Sequence, residues 1–250
     1  IPCMSQSTKT LSLQQVLLCG AMIVTLSMGV RHGFGLWLQP MTQSLNWSRE
    51  TFAFALAIQN LTWGIAGIFA GMLADRFGAV RVIVGCGLLY ALGLFGMAYA
   101  STALLLSLSA GVLIGVAQAG TTFAVIFGVS GRNVSASRRS WAMGVAAAAG
   151  SFGQFLMVPT ESFLINSLGW QQALVALAMT ALLILPLAWG LREPDLRGGA
   201  GHFREQSIMH AIGEALQNRS FQLLTAGYFV CGFQLLFIGV HMPSYLKDQG

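Results

Sequence analysis

The chain has 250 residues, of which 55% are hydrophobic and only 8% are charged, whereas a typical globular domain carries about 25% charged residues. So small a fraction of charged residues excludes a soluble enzyme, a nucleic-acid-binding domain and a disordered protein. The formal charge of +5 comes from single basic residues between apolar runs, which is typical of membrane proteins, so we predict an integral membrane protein in a lipid bilayer, with no nucleic-acid partner.

Seven apolar segments reach the length of about 20 residues that a membrane-spanning helix needs. In chain order they are 14–39, 51–73, 80–100, 102–129, 141–163, 171–191 and 220–244. A longer polar stretch separates the sixth segment from the seventh. We therefore predict an all-α integral membrane protein in three parts: a six-helix bundle over 1–191, a cytoplasmic linker over 192–219 and the first helix of a second bundle over 220–250.

Basic residues are distributed unequally over the loops between these spans. Arg49 and Lys247 fall on one side of the membrane, and ten fall on the other: Lys9, Arg76, Arg81, Arg132, Arg138, Arg139, Arg192, Arg197, Arg204 and Arg219. Because Lys and Arg are retained on the cytoplasmic side, we expect the N-terminus and the linker to be cytoplasmic. We place this multi-pass protein in the cell (inner or cytoplasmic) membrane.

The linker contains a short helical pattern. Five apolar residues recur at helical spacing, namely Ile208, Met209, Ile212, Ala215 and Leu216. This pattern predicts an amphipathic helix on the inner membrane surface. The alternative is an ordinary connector that leads the chain into the seventh span.

Arg31 is a charged residue inside the first span. It precedes Pro40, near the outer end, by nine residues, or about 14 Å at 1.5 Å per residue. At this depth in a core about 30 Å thick, an arginine costs at least about 2.5–3.5 kcal/mol. A guanidinium offers two parallel N–H donors to a carboxylate, so Arg31 is a candidate substrate-binding residue. The alternative is an arginine that reaches outward to water or binds neighbouring carbonyl groups.

Other side chains expected at a similar depth extend the candidate substrate site: Gln59, Asn60, Trp63, Gln154 and Gln234. Aligning the prolines near the outer ends of spans one and seven places Gln234 opposite Arg31. This fits transporters whose halves are related by an axis along the membrane normal. Trp63 would form a wall of the site. For each amide the alternative is a hydrogen bond between helices, worth about 0.6 kcal/mol.

Acidic residues are not expected in the middle of any span. By sequence count Glu161 lies near the outer rim of span five, and His241 lies near the outer end of span seven. Arg31 is therefore expected to have no acid at its depth. The sequence also lacks a Cys/His cluster, clustered carboxylates and a G-x-x-x-x-G-K-[ST] motif. We expect no catalytic residue, no metal site, no cofactor and no enzyme activity.

The loop between spans two and three reads GMLADRFGAVR over residues 71–81. It resembles the signature loop of the major facilitator superfamily, G-x-L-A-D-R-x-G-R-R, and occupies the same position along the chain. It departs from that pattern at Ala79 and Val80. The superfamily has twelve spans, so the resemblance implies a six-helix N-terminal bundle of a major facilitator fold plus the seventh transmembrane helix, as in part of a longer transporter.

In that superfamily the loop latches the two six-helix halves together on the cytoplasmic side. Carried over by position, the cytoplasmic gating motif consists of Gly71, Asp75, Arg76, Gly78 and Arg81. The resemblance implies that Asp75 is the latch acid and that Arg76 and Arg81 are its basic partners. The two glycines allow close approach and positive φ in a tight turn.

Two further stretches, residues 31–40 and 214–246, resemble the bacterial branch of the monocarboxylate transporters. Those relatives and the oxalate/formate antiporters move small organic anions. The resemblance implies a secondary active transporter that works by alternating access on a small organic anion, with a monocarboxylate favoured and a proton as a candidate co-transported ion. The alternatives are an exporter of another small solute or drug in the same superfamily, and a non-transporting membrane receptor or scaffold.

Overall fold

A computed structural model describes residues 12–192 and 208–249, and every regular element in these two ranges is helical. The α-helices are α1 (Leu13–His32), α2 (Phe34–Leu45), α3 (Arg49–Phe77), α4 (Ala79–Ala98), α5 (Ala103–Leu106), α6 (Ile114–Thr121), α7 (Phe123–Asn133), α8 (Ala136–Leu168), α9 (Trp170–Ala181), α10 (Ile184–Trp189), α11 (Ile208–Gln217) and α12 (Arg219–Gln249). A π-helical segment, Ser107–Leu113, joins α5 to α6. The predicted all-α class is confirmed.

Seven helical stretches are long and apolar enough to cross a membrane: Leu13–His32, Arg49–Phe77, Ala79–Ala98, Ala103–Asn133, Ala136–Leu168, Trp170–Trp189 and Arg219–Leu246. They match the seven predicted spans in number and order. Several helices extend beyond the predicted apolar limits, because polar residues continue or cap them. Ser48, for example, caps α3 by accepting the N–H of Thr51 at Oγ.

Span one is interrupted at Gly33, although its sequence predicts one continuous helix. The N–H of Gly33 donates to the carbonyl oxygen of Arg31, so α1 ends at His32. The chain then continues as α2, where the N–H of Leu36 donates to Gly33 O over 2.8 Å. The break was hidden in the sequence because Gly33 lies in an unbroken apolar run, and hydropathy does not register a change in backbone hydrogen bonding.

Spans four and six are interrupted as well. In span four, Thr122 adopts an extended conformation between α6 and α7. In span six, α9 and α10 meet at Leu182 and Leu183, four and three residues before Pro186. Proline has no N–H to bond the carbonyl group four residues earlier, which explains the break in span six.

Small residues bring α1 and α8 together. A Cβ on Gly153 would overlap the backbone of Thr25, and a Cβ on Gly29 would lie 2.7 Å from Gly153 O. Thr25 Oγ1 donates a hydrogen bond to Ala149 O over 2.9 Å. The backbones of α1 and α8 therefore pack in direct contact, as is common where glycines line a helix face in a membrane.

Span four approaches α3 in the same way. A Cβ on Gly111 would lie 3.1 Å from Ala55 O, and one on Gly115 would lie 2.7 Å from Gln59 O. This close packing determines which face of α3 is turned toward span four. The other faces of α3 remain for contacts with other helices.

The described residues form two compact units, divided within residues 193–207. The first contains six spans, and the second contains α11 and α12. The helix predicted in the linker is present as α11, but the side chains of Ile208, Met209 and Ile212 lie outside the described residues, so its amphipathic character stays a prediction. Three basic residues used to predict orientation also lie outside: Lys9, Arg197 and Arg204.

Candidate functional site

Arg31 lies in the last turn of α1, is half-buried and reaches α3. Its Nη2 donates a hydrogen bond to Asn60 Oδ1. The carbon at the centre of its guanidinium lies 4.5 Å from the centroid of the Trp63 ring. These three residues, predicted from their depth in spans one and two, are in direct contact, and we call them the Arg31 cluster.

Hydrogen bonds orient the two partners of Arg31. Asn60 Nδ2 donates to Leu56 O over 2.6 Å, which leaves Oδ1 available to accept from the guanidinium. Trp63 Nε1 donates to Thr122 Oγ1 over 3.3 Å, and Thr122 Oγ1 donates in turn to a carbonyl oxygen in α6 over 2.7 Å. The break in span four thus holds the indole ring on which the guanidinium rests.

The charge of Arg31 is only partly compensated. Within the described ranges Arg31 forms no ion pair, and its Nε is buried without a hydrogen-bond partner. The ring of Trp63 and the amide oxygen of Asn60 both stabilise the guanidinium, but neither partner carries a negative charge. A cation in this state can bind an anion, because its guanidinium can donate two parallel hydrogen bonds to a carboxylate.

The three other predicted amides have different surroundings. Gln59 is 1% exposed, and its Nε2 donates to Ala110 O in the π-helical segment over 2.7 Å. Gln59 therefore forms the hydrogen bond between helices that was the alternative to a substrate-binding role. Gln154 is half-buried on α8, and Gln234 is exposed on α12 within the second unit. Of the predicted set, the structure brings Arg31, Asn60 and Trp63 together.

Glu161 corrects the expectation that no acid lies deep in a span. Because α8 continues to Leu168, Glu161 lies seven residues inside the helix, and its side chain is 0% exposed. A Cβ on Gly33 would overlap Glu161 Oε2, so the carboxyl group lies beside a residue two positions from Arg31. Sequence counting missed this depth because the apolar residues of span five end before the helix does.

A layer of hydroxyl groups adjoins the Arg31 cluster and was not predicted. Ser27 Oγ and Thr121 Oγ1 lie 2.7 Å apart, and both residues are buried. Tyr90, on α4, donates its hydroxyl hydrogen to Ser27 O over 3.0 Å. Ser and Thr side chains in a helix commonly bond the backbone of their own helix, so the sequence carries no signal that Ser27 and Thr121 meet each other or Tyr90.

The gating motif has a different ion pair from the one expected. Asp75 Oδ1 lies 2.6 Å from Nη1 of Arg132, in the last turn of α7. Arg76 instead stacks 5.4 Å from the ring centroid of Phe77, and Arg81 Nη1 donates to Phe77 O over 3.4 Å. Consecutive residues on a helix do not face each other, which explains why Arg76 does not pair with Asp75. Within the first unit, the basic partner of Asp75 is Arg132.

The two glycines of the motif also differ. Gly78 has a φ of +91° between α3 and α4, a conformation that residues with a Cβ rarely adopt. Gly71 lies inside α3, with nothing within 4 Å of the position a Cβ would take. The tight turn therefore requires Gly78, whereas nothing in the first unit requires a glycine at position 71.

The family model described as Major Facilitator Superfamily matches residues 17–250. The chain belongs to the Major Facilitator Superfamily. This confirms the resemblance predicted from the loop, and it identifies the chain as part of a transporter family rather than an enzyme. The Asp75 loop and the six-span unit are thus features of a superfamily transporter, and the Arg31 cluster lies inside that unit.

Individual relatives of this superfamily chain carry names of several transporters. Mouse (Mus musculus) monocarboxylate transporter 11 is 29% identical over 226 residues, which cover 90% of this chain and 50% of the transporter. Multidrug resistance protein MdtH of Aeromonas hydrophila is 45% identical over 65 residues, which cover 26% of this chain and 16% of that protein. The chain spans about half the length of the monocarboxylate transporter that it matches.

A solved structure establishes the same fold. The proton:xylose symporter XylE of E. coli superimposes with a TM-score of 0.61 at 17% sequence identity, over 72% of this chain and 45% of that chain. The matched part of the chain therefore has the helical fold of this symporter. Family membership and the seven candidate spans make the chain a multi-pass membrane protein.

Proposed function

We propose that this protein is a secondary active transporter that moves a small organic anion by alternating access. The substrate that we favour is a monocarboxylate. The observation that carries the proposal is the Arg31 cluster: a guanidinium near mid-membrane that is bound by a neutral amide and an indole ring, without an acid. The name of the mouse relative supports the same class of substrate.

In this proposal the guanidinium of Arg31 binds the substrate carboxylate through charge-assisted hydrogen bonds. Asn60 holds the guanidinium from one side, and Trp63 forms an apolar wall for the organic part of the substrate. Gln154 and Gln234 are proposed to line the remainder of the site. Gln59, whose amide is bound to span four, is proposed to act by keeping α3 in place.

We further propose that residues 1–191 form the N-terminal bundle, 192–219 a cytoplasmic linker and 220–250 the start of the second bundle. The N-terminus would then be cytoplasmic in the cell membrane. In this arrangement the Asp75–Arg132 pair lies on the cytoplasmic side, where it would help to close the pathway between the two bundles. A proton is the proposed co-transported ion, as in a symporter.

An exporter of a drug or another small solute is the second candidate. The short match to multidrug resistance protein MdtH favours it, because identity reaches 45% there. That match covers 26% of the chain, whereas the match to the monocarboxylate transporter covers 90%. A non-transporting receptor or scaffold would lack solute flux altogether.

Counterflow of labelled lactate, pyruvate or oxalate into proteoliposomes that contain the full-length protein tests the proposal. We expect counterflow with the wild type, its loss in Arg31→Ala and its retention in Arg139→Ala, which removes an exposed arginine from α8. Counterflow that survives Arg31→Ala unchanged would contradict the role of Arg31. Flux of a drug-like cation without flux of any anion would instead favour the exporter.

A further inference from the structure

Glu161 is a buried carboxyl group that the proposed substrate site does not use. Its side chain is 0% exposed, within a helix that crosses the membrane. Oε2 accepts one hydrogen bond, from Trp37 Nε1 over 2.9 Å. Oε1 is buried and has no hydrogen-bond partner. One of its two oxygens is therefore unsatisfied, in surroundings where an unpaired polar atom is costly.

The carboxyl group lies at the break in span one. Gly33 separates α1 from α2, and a Cβ at this position would overlap Glu161 Oε2. Trp37, the hydrogen-bond donor, lies one turn into α2 and is itself 0% exposed. Contact with Gly33 and the hydrogen bond from Trp37 therefore place Glu161 against the break itself and against α2. A movement of α2 relative to α1 would change its surroundings directly.

The charged and titratable groups around Glu161 leave it without an ion pair. The helices packed against α8 or bonded to Glu161 are α1, α2, α7 and α9, and α2 and α9 carry no titratable residue. The titratable residues of α1, α7 and the neighbouring helix α4 are Cys19, Arg31, His32, Arg132, Arg81, Cys86 and Tyr90. Arg31 binds Asn60 and Trp63, and Arg132 binds Asp75. No ion pair to Glu161 exists within the described ranges.

An ionised carboxylate with a single neutral donor and no cation is strongly disfavoured in such surroundings. A protonated carboxyl group is neutral and fits the same place, because Oε2 can still accept from the indole N–H. We propose that Glu161 is a proton-binding site inside the bundle, which carries a proton in this conformation and releases it when the α1–α2 break moves. Release breaks the carboxyl O–H bond and transfers the proton to water that enters at Gly33, leaving a carboxylate.

The coupling part of this proposal rests on the proposed transport function, but the bound proton does not. Infrared spectroscopy of the purified full-length protein tests the proton alone. At neutral pH we expect the C=O stretching band of a protonated carboxylic acid. The band should disappear in Glu161→Gln and persist in Glu50→Gln, which replaces an exposed acid at the start of α3. A spectrum of Glu161→Gln that is identical to the wild type in this region would overturn the proposal.

The hydrogen bond from Trp37 to Glu161 gives a second infrared test. Trp37→Phe removes the indole donor to Oε2 and keeps an aromatic side chain. We expect the carboxylic acid band to remain and to shift in frequency, because a hydrogen bond to its carbonyl oxygen is lost. Were the band unmoved, the acid observed would not be the group that Trp37 contacts.

Transport tests the coupling. Glutamine mimics the protonated acid, so Glu161→Gln should retain anion counterflow but lose accumulation driven by a pH gradient. With one proton per anion, a gradient of one pH unit sustains about tenfold accumulation, and the variant should fall to no accumulation. Tenfold accumulation by Glu161→Gln would remove Glu161 from coupling. Absence of counterflow in the wild type would instead reject the proposed transport function, while the infrared result would still decide the proton site.

Discussion

Arg31 is held by neutral groups, and this is the main finding at the scale of single residues. Its depth in span one is readable from the sequence, since it requires only a count from Pro40. The residues that contact Arg31 are harder to predict from the sequence, because Gln59 and Asn60 are consecutive and equally polar. Successive helical residues point about 100° apart, so one of the two amides faces Arg31 and the other faces span four. The sequence alone does not determine which amide takes which place.

The fork of the guanidinium, and not only its charge, should matter for substrate binding. In Arg31→Lys the cation is kept, but the bidentate geometry and the planar stacking on Trp63 are lost. We expect the KM for the anion to rise by about tenfold, corresponding to about 1.4 kcal/mol, with a smaller change in kcat. Initial rates of uptake measured over a range of substrate concentrations check this. A KM equal to that of the wild type would show that charge alone is sufficient.

The helices themselves follow from hydropathy, but their interruptions do not. All seven spans were predicted, because apolar runs of about 20 residues have few other uses. The breaks at Gly33 and Thr122 depend on packing against neighbouring helices, which a single span does not encode. The depth of Glu161 was mistaken for a related reason: an apolar run ends where side chains become polar, whereas a helix ends where its backbone does.

Contact between α1 and α8 depends on glycine at position 153. Gly153→Ala places a Cβ against the backbone of Thr25, which cannot yield as a side chain would. We expect a loss of about 1–3 kcal/mol in the free energy of unfolding, measured by unfolding in detergent. Gly144→Ala is the matched control on the same helix, because nothing lies within 4 Å of its Cβ position. Equal stability of the two variants would mean that α1 and α8 separate easily.

The ion pair between Asp75 and Arg132 links α3 to α7. Because it is exposed, its coupling energy in a double-mutant cycle of Asp75→Asn and Arg132→Gln should be about 0.2–1 kcal/mol. The exchanged pair, Asp75→Arg with Arg132→Asp, should recover part of the stability that either reversal loses alone. Additive effects of the two single substitutions would show that the contact contributes nothing measurable.

At the scale of the whole molecule, the distribution of basic residues predicts which side each loop occupies. In a variant without its native cysteines, Ser101→Cys lies between spans three and four, and Ser137→Cys lies at the start of α8; both positions are exposed. A membrane-impermeant thiol reagent should label the first in intact cells and the second only in inside-out vesicles. The reverse pattern would invert the predicted topology and place the Asp75 loop outside.

The π-helical segment in span four has a consequence for the register of everything that follows it. A helix turns about 100° per residue, so each residue inserted into or removed from a span rotates the remainder as a block. Deleting one residue of this segment before Gly111 would therefore rotate Thr122 away from Trp63 and move Gly111 and Gly115 off the surface of α3. The length of this one segment sets the direction in which the second half of span four presents its hydroxyl groups, and through Trp63 it aims the side chain of Arg31.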